Sequence, residues 1–254
     1  MLQKRQELII RELEEKGSVR VAELSKLLKV SEVTIRNDIQ RLEEKGLLIR
    51  THGGATKLGA QVMLGYNAGN VFKYAEQKHR IAERAYEYIE DRDTIIMDDA
   101  SISYYLAKCI RDNMSKHVVV ITNSLVAAGV LADVNHVDLF FLGGQVGGKL
   151  AATMGDVTIR NLEECHADKA FISAHGINFD VGITSIDSPQ MQVKKAILNA
   201  AKDIYLLADS HKFGGGYVLA VCPLSRITCL ITDNEIDSGY IERAKQDNVK
   251  LDMV

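Results

Sequence analysis

The strongest constraint on this chain is an alternation that runs through its second half. Six short runs rich in Val, Ile, Leu and Phe occur at Thr94–Asp98, Val118–Thr122, Val137–Leu142, Lys169–Ser173, Ile204–Ala208 and Ile227–Thr232. Stretches of helical periodicity lie between or beyond them, near 102–111, 124–132, 156–165, 188–201 and 238–247, with one more at 75–90 ahead of the first strand. Strands that are apolar on both sides are buried on both faces, and parallel neighbours need a helical crossover to connect them. The pattern therefore predicts a parallel sheet covered by helices on both sides.

The first 57 residues follow another rule. Residues 2–16 read as an amphipathic helix with Leu2, Ile9 and Leu13 near helical spacing, ended by Gly17. Val19 and Val21 flank Arg20 in a short extended stretch, and a helix near 22–29 turns Leu24, Leu27 and Leu28 inward. Ser31 suits an N-cap, Glu32 favours the helix dipole, and the helix they open runs to Lys45 with Gly46 as its cap. Leu47 to Ala55 then reads as strand and turn, a wing. Three helices and a wing predict a winged helix-turn-helix over 1–57. From Leu58 the period dissolves around three glycines, so 58–74 reads as a linker and 75–254 as the larger domain.

Composition narrows the function. No apolar run reaches the ~20 residues that span a bilayer, and the charged start is unlike a signal peptide, so a cytoplasmic location is expected. Cys109, Cys165, Cys222 and Cys229 share no metal-ligand spacing, so neither a metal nor a disulfide framework is called for, and no cofactor. The first 57 residues carry a surplus of three positive charges, while the whole chain stands at −3. A basic head on an acidic body is compatible with DNA binding confined to the head.

With Ile35, Ile39 and Leu42 on the core side of the third helix, Val33, Asn37, Gln40 and Arg41 face outward, and Thr34 and Arg36 lie on the shoulders. Arg suits guanine, Asn suits adenine, and Val or Thr can touch the thymine methyl. Lys29 and Ser31 at the helix mouth suit phosphates, and Arg50 and His52 on the wing can reach backbone or minor groove. The competing readings are a merely solvated helix face and a winged helix used for protein–protein contact.

Here the motifs become specific. Val30-Ser31-Glu32-Val33-Thr34-Ile35-Arg36-Asn37-Asp38-Ile39, then Leu42-Glu43, Gly46 and Arg50-Thr51-His52-Gly53-Gly54-Ala55, resemble the DeoR-type regulators of bacterial sugar metabolism. The likeness continues at Asp98-Asp99-Ala100-Ser101, Val120-Ile121-Thr122-Asn123-Ser124, Phe141-Leu142-Gly143-Gly144, His175-Gly176-Ile177-Asn178 and Leu207-Ala208-Asp209-Ser210-His211-Lys212. It implies a winged helix-turn-helix joined to a Rossmann-like α/β domain similar to ribose-5-phosphate isomerase, which senses a phosphorylated sugar or related metabolite. It also implies a repressor of a sugar-utilisation operon, acting as a homodimer or homotetramer on double-stranded operator DNA, with no membrane partner.

Several of these motifs sit where a strand gives way to a loop or helix, the ligand edge of an open α/β sheet. Asp98 and Ser101 can bond sugar hydroxyls or a phosphate, Thr122, Asn123 and Ser124 supply donors, Gly143 and Gly144 allow close backbone approach, and Lys212 offers a point charge. The alternative is that Asn123 and Ser124 only cap the next helix and Asp98 only fixes a turn.

Three departures from the family pattern stand out. Asn37 replaces the second of two arginines, which shifts base preference. Asp98-Asp99-Ala100-Ser101-Ile102 stands where the family has Asp-x-Gly-Thr-Thr, which alters the effector loop. His175-Gly176-Ile177-Asn178 stands where it has a motif close to Asp-Gly-Ile-Asp, and asparagine is no general base, so a sensor is expected rather than a phosphosugar isomerase with a DNA-binding head. A nucleotide-binding reading of Gly143-Gly144-Gln145-Val146-Gly147-Gly148-Lys149 fails for want of a Ser or Thr, because Leu150 follows.

Overall fold

A computed structural model describes residues 2–44, 47–51, 53–56, 71, 73–147, 151–216 and 218–254. The chain divides into two compact units, Met1–Gly65 and Tyr66–Val254. The linker drawn at 58–74 falls mostly on residues outside the described ones, as do Lys45, Gly46, His52, Lys149 and Leu150.

In the first unit, α1 (Leu2–Lys16), α2 (Val21–Leu28) and α3 (Glu32–Glu44) pack with a three-stranded sheet of β1 (Ser18–Arg20), β2 (Ile49–Thr51) and β3 (Gly54–Thr56), in the order β1-β3-β2. Ile9, Leu13, Val19, Val21, Leu24, Ile35, Ile39, Leu42, Leu48 and Ala55 form its core. Val21 opens α2 instead of extending β1, which sets a stripe of Val21, Leu24 and Leu28 and turns Leu27 out to 55 % exposure. Gly54 is where β3 meets β1: a Cβ there would lie 1.8 Å from the Val19 carbonyl oxygen, so only glycine permits the pairing. Arg5 of α1 is bonded to the buried carboxylate of Asp38 on α3, joining the two helices from beneath.

The second unit is built on seven parallel strands in the order β15-β14-β12-β9-β4-β5-β6. They are β4 (Thr94–Met97), β5 (Val118–Thr122), β6 (Val137–Phe141), β9 (Ala167–Ile172), β12 (Ala201–Leu207), β14 (Cys229–Thr232) and β15 (Leu251–Met253). The helices are α4 (Ala75–Glu87), α5 (Ser101–Asp112), α6 (Leu125–Leu131), α7 (Asp156–Glu163), α8 (Ser188–Ala200) and α9 (Ser238–Gln246). A hairpin of β7 (Gln145–Gly147) and β8 (Ala152–Met154), and a three-stranded sheet of β10 (Gly176–Asn178), β11 (Gly182–Ser185) and β13 (Leu219–Cys222), complete it.

The strand order places the site. From β4 the chain winds outward through β5 and β6, then returns to β9 on the other flank of β4 and winds away through β12, β14 and β15. Crossovers on either side of such a reversal leave a crevice beyond the carboxyl ends of the two central strands. In this sheet those strands are β4 and β9, paired as Ile95–Lys169, Ile96–Ala170 and Met97–Phe171.

Candidate functional site

In the first unit the exposed face of α3 is set by its helical period. Ser31 accepts a hydrogen bond from the Thr34 amide at 3.2 Å and so caps α3. Ile35, Asp38, Ile39 and Leu42 are buried, while Val33, Arg36, Asn37, Gln40 and Arg41 are exposed and Thr34 is half-buried. Val33, an apolar side chain, is 65 % exposed, so the core makes no use of it. Arg36 pairs with Glu32 one turn earlier, at 3.0 Å. Arg36 and Arg50 line one cleft of about 220 Å³ between α3 and the wing, with Thr51 and Gly53. The Arg50 amide bonds to the Glu43 carboxylate at 3.0 Å, which ties the wing to the end of α3. Lys29 stands in the turn between α2 and α3 in the left-handed region (φ 51°). His52 lies outside the described residues.

In the second unit, a pocket of about 420 Å³ opens at the carboxyl ends of β4, β9 and β12. Residues 99–102 line it from the start of α5, Ser173, Ala174 and His175 from the loop after β9, and Asp209, His211 and Lys212 from the loop after β12. Gln190 and Lys194 reach it from α8, Lys78 from α4, and Lys73 and Tyr74 from just before α4. The Tyr74 and His211 rings stack with centroids 3.7 Å apart, and Lys73 lies over the Tyr74 face at 4.8 Å, forming a rim. Ala100 caps α5 without any side-chain bond, and the nearest carboxylate at this amide end is that of Asp98, bonded to Ala100 N.

A buried ion pair sits beneath this pocket. The Asp98 carboxylate is inaccessible and accepts from Ala100 N at 3.1 Å, Ser103 Oγ at 3.0 Å and Ser173 N at 2.8 Å, and it is also bonded to Lys194 Nζ. It clamps β4 to β9 where the two strands end. Burial alone lowers the pKa of Lys194, but the charges of Asp98 and Asp99 outweigh it and hold the ammonium protonated. Asp99 is only 6 % exposed, and its Oδ2 has no hydrogen-bond partner. Burial raises its pKa to about 6, with Asp98 adding and Lys194 opposing.

The remaining lysines crowd one another. Burial, partly offset by Asp209 and reinforced by the Lys212 and Lys73 charges, brings Lys78 down to about 8. Lys212 is likewise lowered, by burial first and then by Lys194 and Lys73, against Asp209. Among the described residues no carboxylate lies within ion-pairing distance of the Lys212 ammonium. Burial and the Lys194 and Lys212 charges lower His175 to about 4, so its ring is neutral at pH 7. A cleft with this inventory attracts an anion.

Of the eight residues expected to bind an effector, the structure brings Ser101 and Lys212 to the pocket. Asp98 lies under it, its oxygens taken up by the protein. Thr122, Asn123, Ser124, Gly143 and Gly144 do not line it. They belong to the β5–β6 flank, where the chain's own hairpin occupies the space. Thr122 Oγ1 donates to the Met97 carbonyl at 2.8 Å, Ser124 Oγ caps α6, and Asn123 Nδ2 donates to the Thr153 carbonyl at 3.0 Å. A Cβ on Gly144 (φ +146°) would meet Thr158 Oγ1 at 2.2 Å, so that glycine serves packing of α7. Asn123 Oδ1 alone in this group is buried without a partner. The glycine run proposed as a nucleotide loop enters strand β7, not a helix.

Lys73, Lys78, Asp99, Gln190, Lys194 and Asp209 were not among the expected contacts. Two of them had a usable signal: Lys78 shares a helical face with Ile81, Ala82 and Ala85, and Lys194 with Val193, Ile197 and Leu198. A cation within an apolar stripe is costly unless it is paired or used. A second hollow of about 410 Å³, between α7 and α8, is lined by Ile159, Leu162, Cys165, His166 and Lys195 among others. It lies by the amino-terminal starts of β9 and β12, away from the carboxyl ends, and among the described residues lining it no buried side-chain polar atom is without a partner.

Residues 5–60 match the DeoR-like helix-turn-helix domain and residues 73–234 the DeoR C terminal sensor domain. The chain is 29 % identical to the HTH-type transcriptional regulator IolR of Bacillus subtilis (strain 168), over 95 % of this chain and 97 % of that one. It is 31 % identical to the lactose phosphotransferase system repressor of Streptococcus mutans, over 96 % of each chain. Among solved structures, ribose 5-phosphate isomerase from Plasmodium falciparum overlaps 54 % of this chain and 52 % of its own, at 15 % identity and a TM-score of 0.40.

Proposed function

Since the chain belongs to the DeoR family of helix-turn-helix transcriptional regulators, we propose that it represses a sugar-utilisation operon and is released by a phosphorylated sugar held at the β4–β9–β12 pocket. The observation that carries the sensor half is the convergence of Lys73, Lys78, Lys194 and Lys212 on a cleft of about 420 Å³ at the strand-order reversal. Such a volume suits a small metabolite. The phosphate sits against these lysines and the amide end of α5, where Ser101 adds a hydroxyl. On the DNA side, Arg36, Asn37, Gln40 and Arg41 with Val33 and Thr34 read base edges, and Lys29, Ser31, Arg50 and His52 hold phosphates or the minor groove.

Two half-sites call for at least two heads, so the working form is a homodimer or homotetramer. The exposed Phe140 and Phe141 on the edge strand β6 offer apolar surface for a second copy. Light scattering on the purified chain tests this, and a monomer at micromolar concentration counts against it.

The sensor is tested by titrating a panel of sugar monophosphates against the protein bound to its operator. A ligand that releases DNA must also raise the melting temperature of the free protein. Lys212→Ala is expected to keep operator affinity while abolishing the response; loss of folding instead marks the lysine as structural. A catalytic reading has one feature in its favour, the Asp99 carboxyl near pH 6 beside Lys194. Incubation of the protein with pentose and hexose phosphates decides it, since turnover at enzyme-like rates would replace the sensor reading.

A further inference from the structure

The pocket has two unlike ends. Lys73, Lys78 and Lys212 line it together: the Lys73 charge lowers both Lys78 and Lys212, Lys212 lowers Lys78, and the carboxylate opposing them is Asp209. The charges that reach Asp99 are Lys194, Asp98 and Asp187; of these, Lys194 also acts on Lys212, while the two carboxylates do not. Lys194 is already bonded to Asp98, so the Asp99 end holds two carboxylates against one ammonium. Asp99 lines the pocket, and its Oδ2 is buried with no hydrogen-bond donor. A buried carboxylate oxygen left unbonded is expensive, and proteins rarely retain one without a use.

We infer that Asp99 reads the far end of the ligand: the effector carries its phosphate on the lysine side and presents a hydrogen-bond donor, a hydroxyl or an ammonium, to Asp99 Oδ2. The same carboxylate rejects a second phosphate or a carboxylate at that position, by charge repulsion close to a buried charge. The effector class is therefore a monophosphorylated sugar, polyol or amino sugar, and not a bisphosphate or a phosphorylated sugar acid. This rests on the sensor reading above and deepens it. Lys212, Lys78 and the α5 amides account for affinity toward an anion of any kind; Asp99 accounts for which anion.

The test is calorimetric titration of the full-length protein with inorganic phosphate, a panel of sugar monophosphates including glucose 6-phosphate and glucosamine 6-phosphate, fructose 1,6-bisphosphate and 6-phosphogluconate. In the wild type the best monophosphate is expected to bind at least about tenfold more tightly than the bisphosphate, the phosphorylated acid or inorganic phosphate. The amino-sugar arm separates the two donors: an ammonium at Asp99 makes it the tightest, whereas a hydroxyl leaves it level with or below its neutral counterpart. In Asp99→Asn, which keeps the shape but removes the charge, the gap between monophosphate and bisphosphate should close to within about threefold. A wild-type preference for the bisphosphate or the acid overturns the inference, as does a gap unchanged in Asp99→Asn. Should that variant not fold, the wild-type ranking decides alone. Binding by none of the phosphates removes the sensor reading itself, and the inference with it; binding without discrimination removes only the role of Asp99.

Discussion

The two units use their polar residues in opposite ways. In the helix-turn-helix unit the side chains proposed to read DNA lie where the core is not: Val33, Arg36, Asn37, Gln40 and Arg41 are exposed, and a stripe of Ile35, Ile39 and Leu42 behind them carries the stability. In the sensor unit the groups at and beneath the candidate pocket are largely inside. Asp98, Asp99, Lys78, Lys194 and Asp209 are all buried. The first arrangement lets recognition vary at little cost to folding. The second couples ligand chemistry to stability, because each buried charge must be compensated by a neighbour or by the ligand.

The comparison breaks most visibly at Lys194. Lys194→Met removes the counter-charge of an inaccessible carboxylate and leaves Asp98 with three neutral donors. A loss of about 4 kcal/mol is expected in denaturant unfolding of the sensor unit. A loss below about 1 kcal/mol would mean that the hydrogen bonds alone hold the β4–β9 junction.

Asp38→Ala is the matching cut in the first unit. Asp38 is 2 % exposed in its side chain, but its partner Arg5 is 20 % exposed and can turn toward water when the carboxylate is gone. The expected loss is therefore smaller, about 2–3 kcal/mol. It should appear in unfolding of the helix-turn-helix unit, monitored by amide exchange in α1 and α3. An effect as large as that of Lys194→Met would erase the contrast between a surface-facing and an interior use of charge.

The same contrast explains what could be read from the sequence. On α3 the burial of each residue follows a 3.6-residue period, so local spacing was enough to sort Ile35 and Ile39 from Val33 and Asn37. Strands β4 and β5 were legible within a residue because they are apolar on both faces. Strands β10, β11, β13 and β15, three or four residues each, carry too short a pattern to separate from loops. Leu27 went wrong because the start of α2 at Val21 rotates the whole stripe. At the site, the rule that ligands bind at carboxyl ends of strands points to the edge where the pocket opens. Which ends meet depends on β9 returning beside β4, a pairing between residues about 75 apart that no local pattern encodes. Hence Thr122 and Gly143 were grouped with Ser101, while Lys194 was not.

Asp99 tests how far the sensor unit sacrifices stability for function. Its pKa rises on folding from 3.8 to about 6, chiefly through burial. The native state then binds the proton more tightly than the unfolded chain, so stability falls as pH climbs from about 4 to about 6, and the full penalty is present above that. Asp99→Asn removes the titration. It should stabilise the unliganded protein by on the order of 2 kcal/mol at pH 7.5, with the gain vanishing near pH 4. Urea unfolding at the two pH values measures this. A gain that is the same at both would assign the effect to packing and not to the buried charge.

Arg36 completes the comparison from the other side, because there function should be separable from stability. Its side chain is 61 % exposed and its partner Glu32 49 % exposed, an i,i+4 pair of a kind that contributes at most a few tenths of a kcal/mol. Arg36→Ala should thus leave the melting temperature nearly unchanged while costing about 1–3 kcal/mol of operator binding and relaxing preference at one base pair. In the free protein Glu32 holds the guanidinium that DNA must take over, so Glu32→Ala should strengthen binding to any DNA sequence and steepen its salt dependence. The two substitutions together discriminate: if Glu32→Ala leaves DNA affinity unchanged and Arg36→Ala does too, the guanidinium faces solvent in the complex. The reading helix would then rest on Asn37, Gln40 and Arg41, the next side chains along the same exposed face.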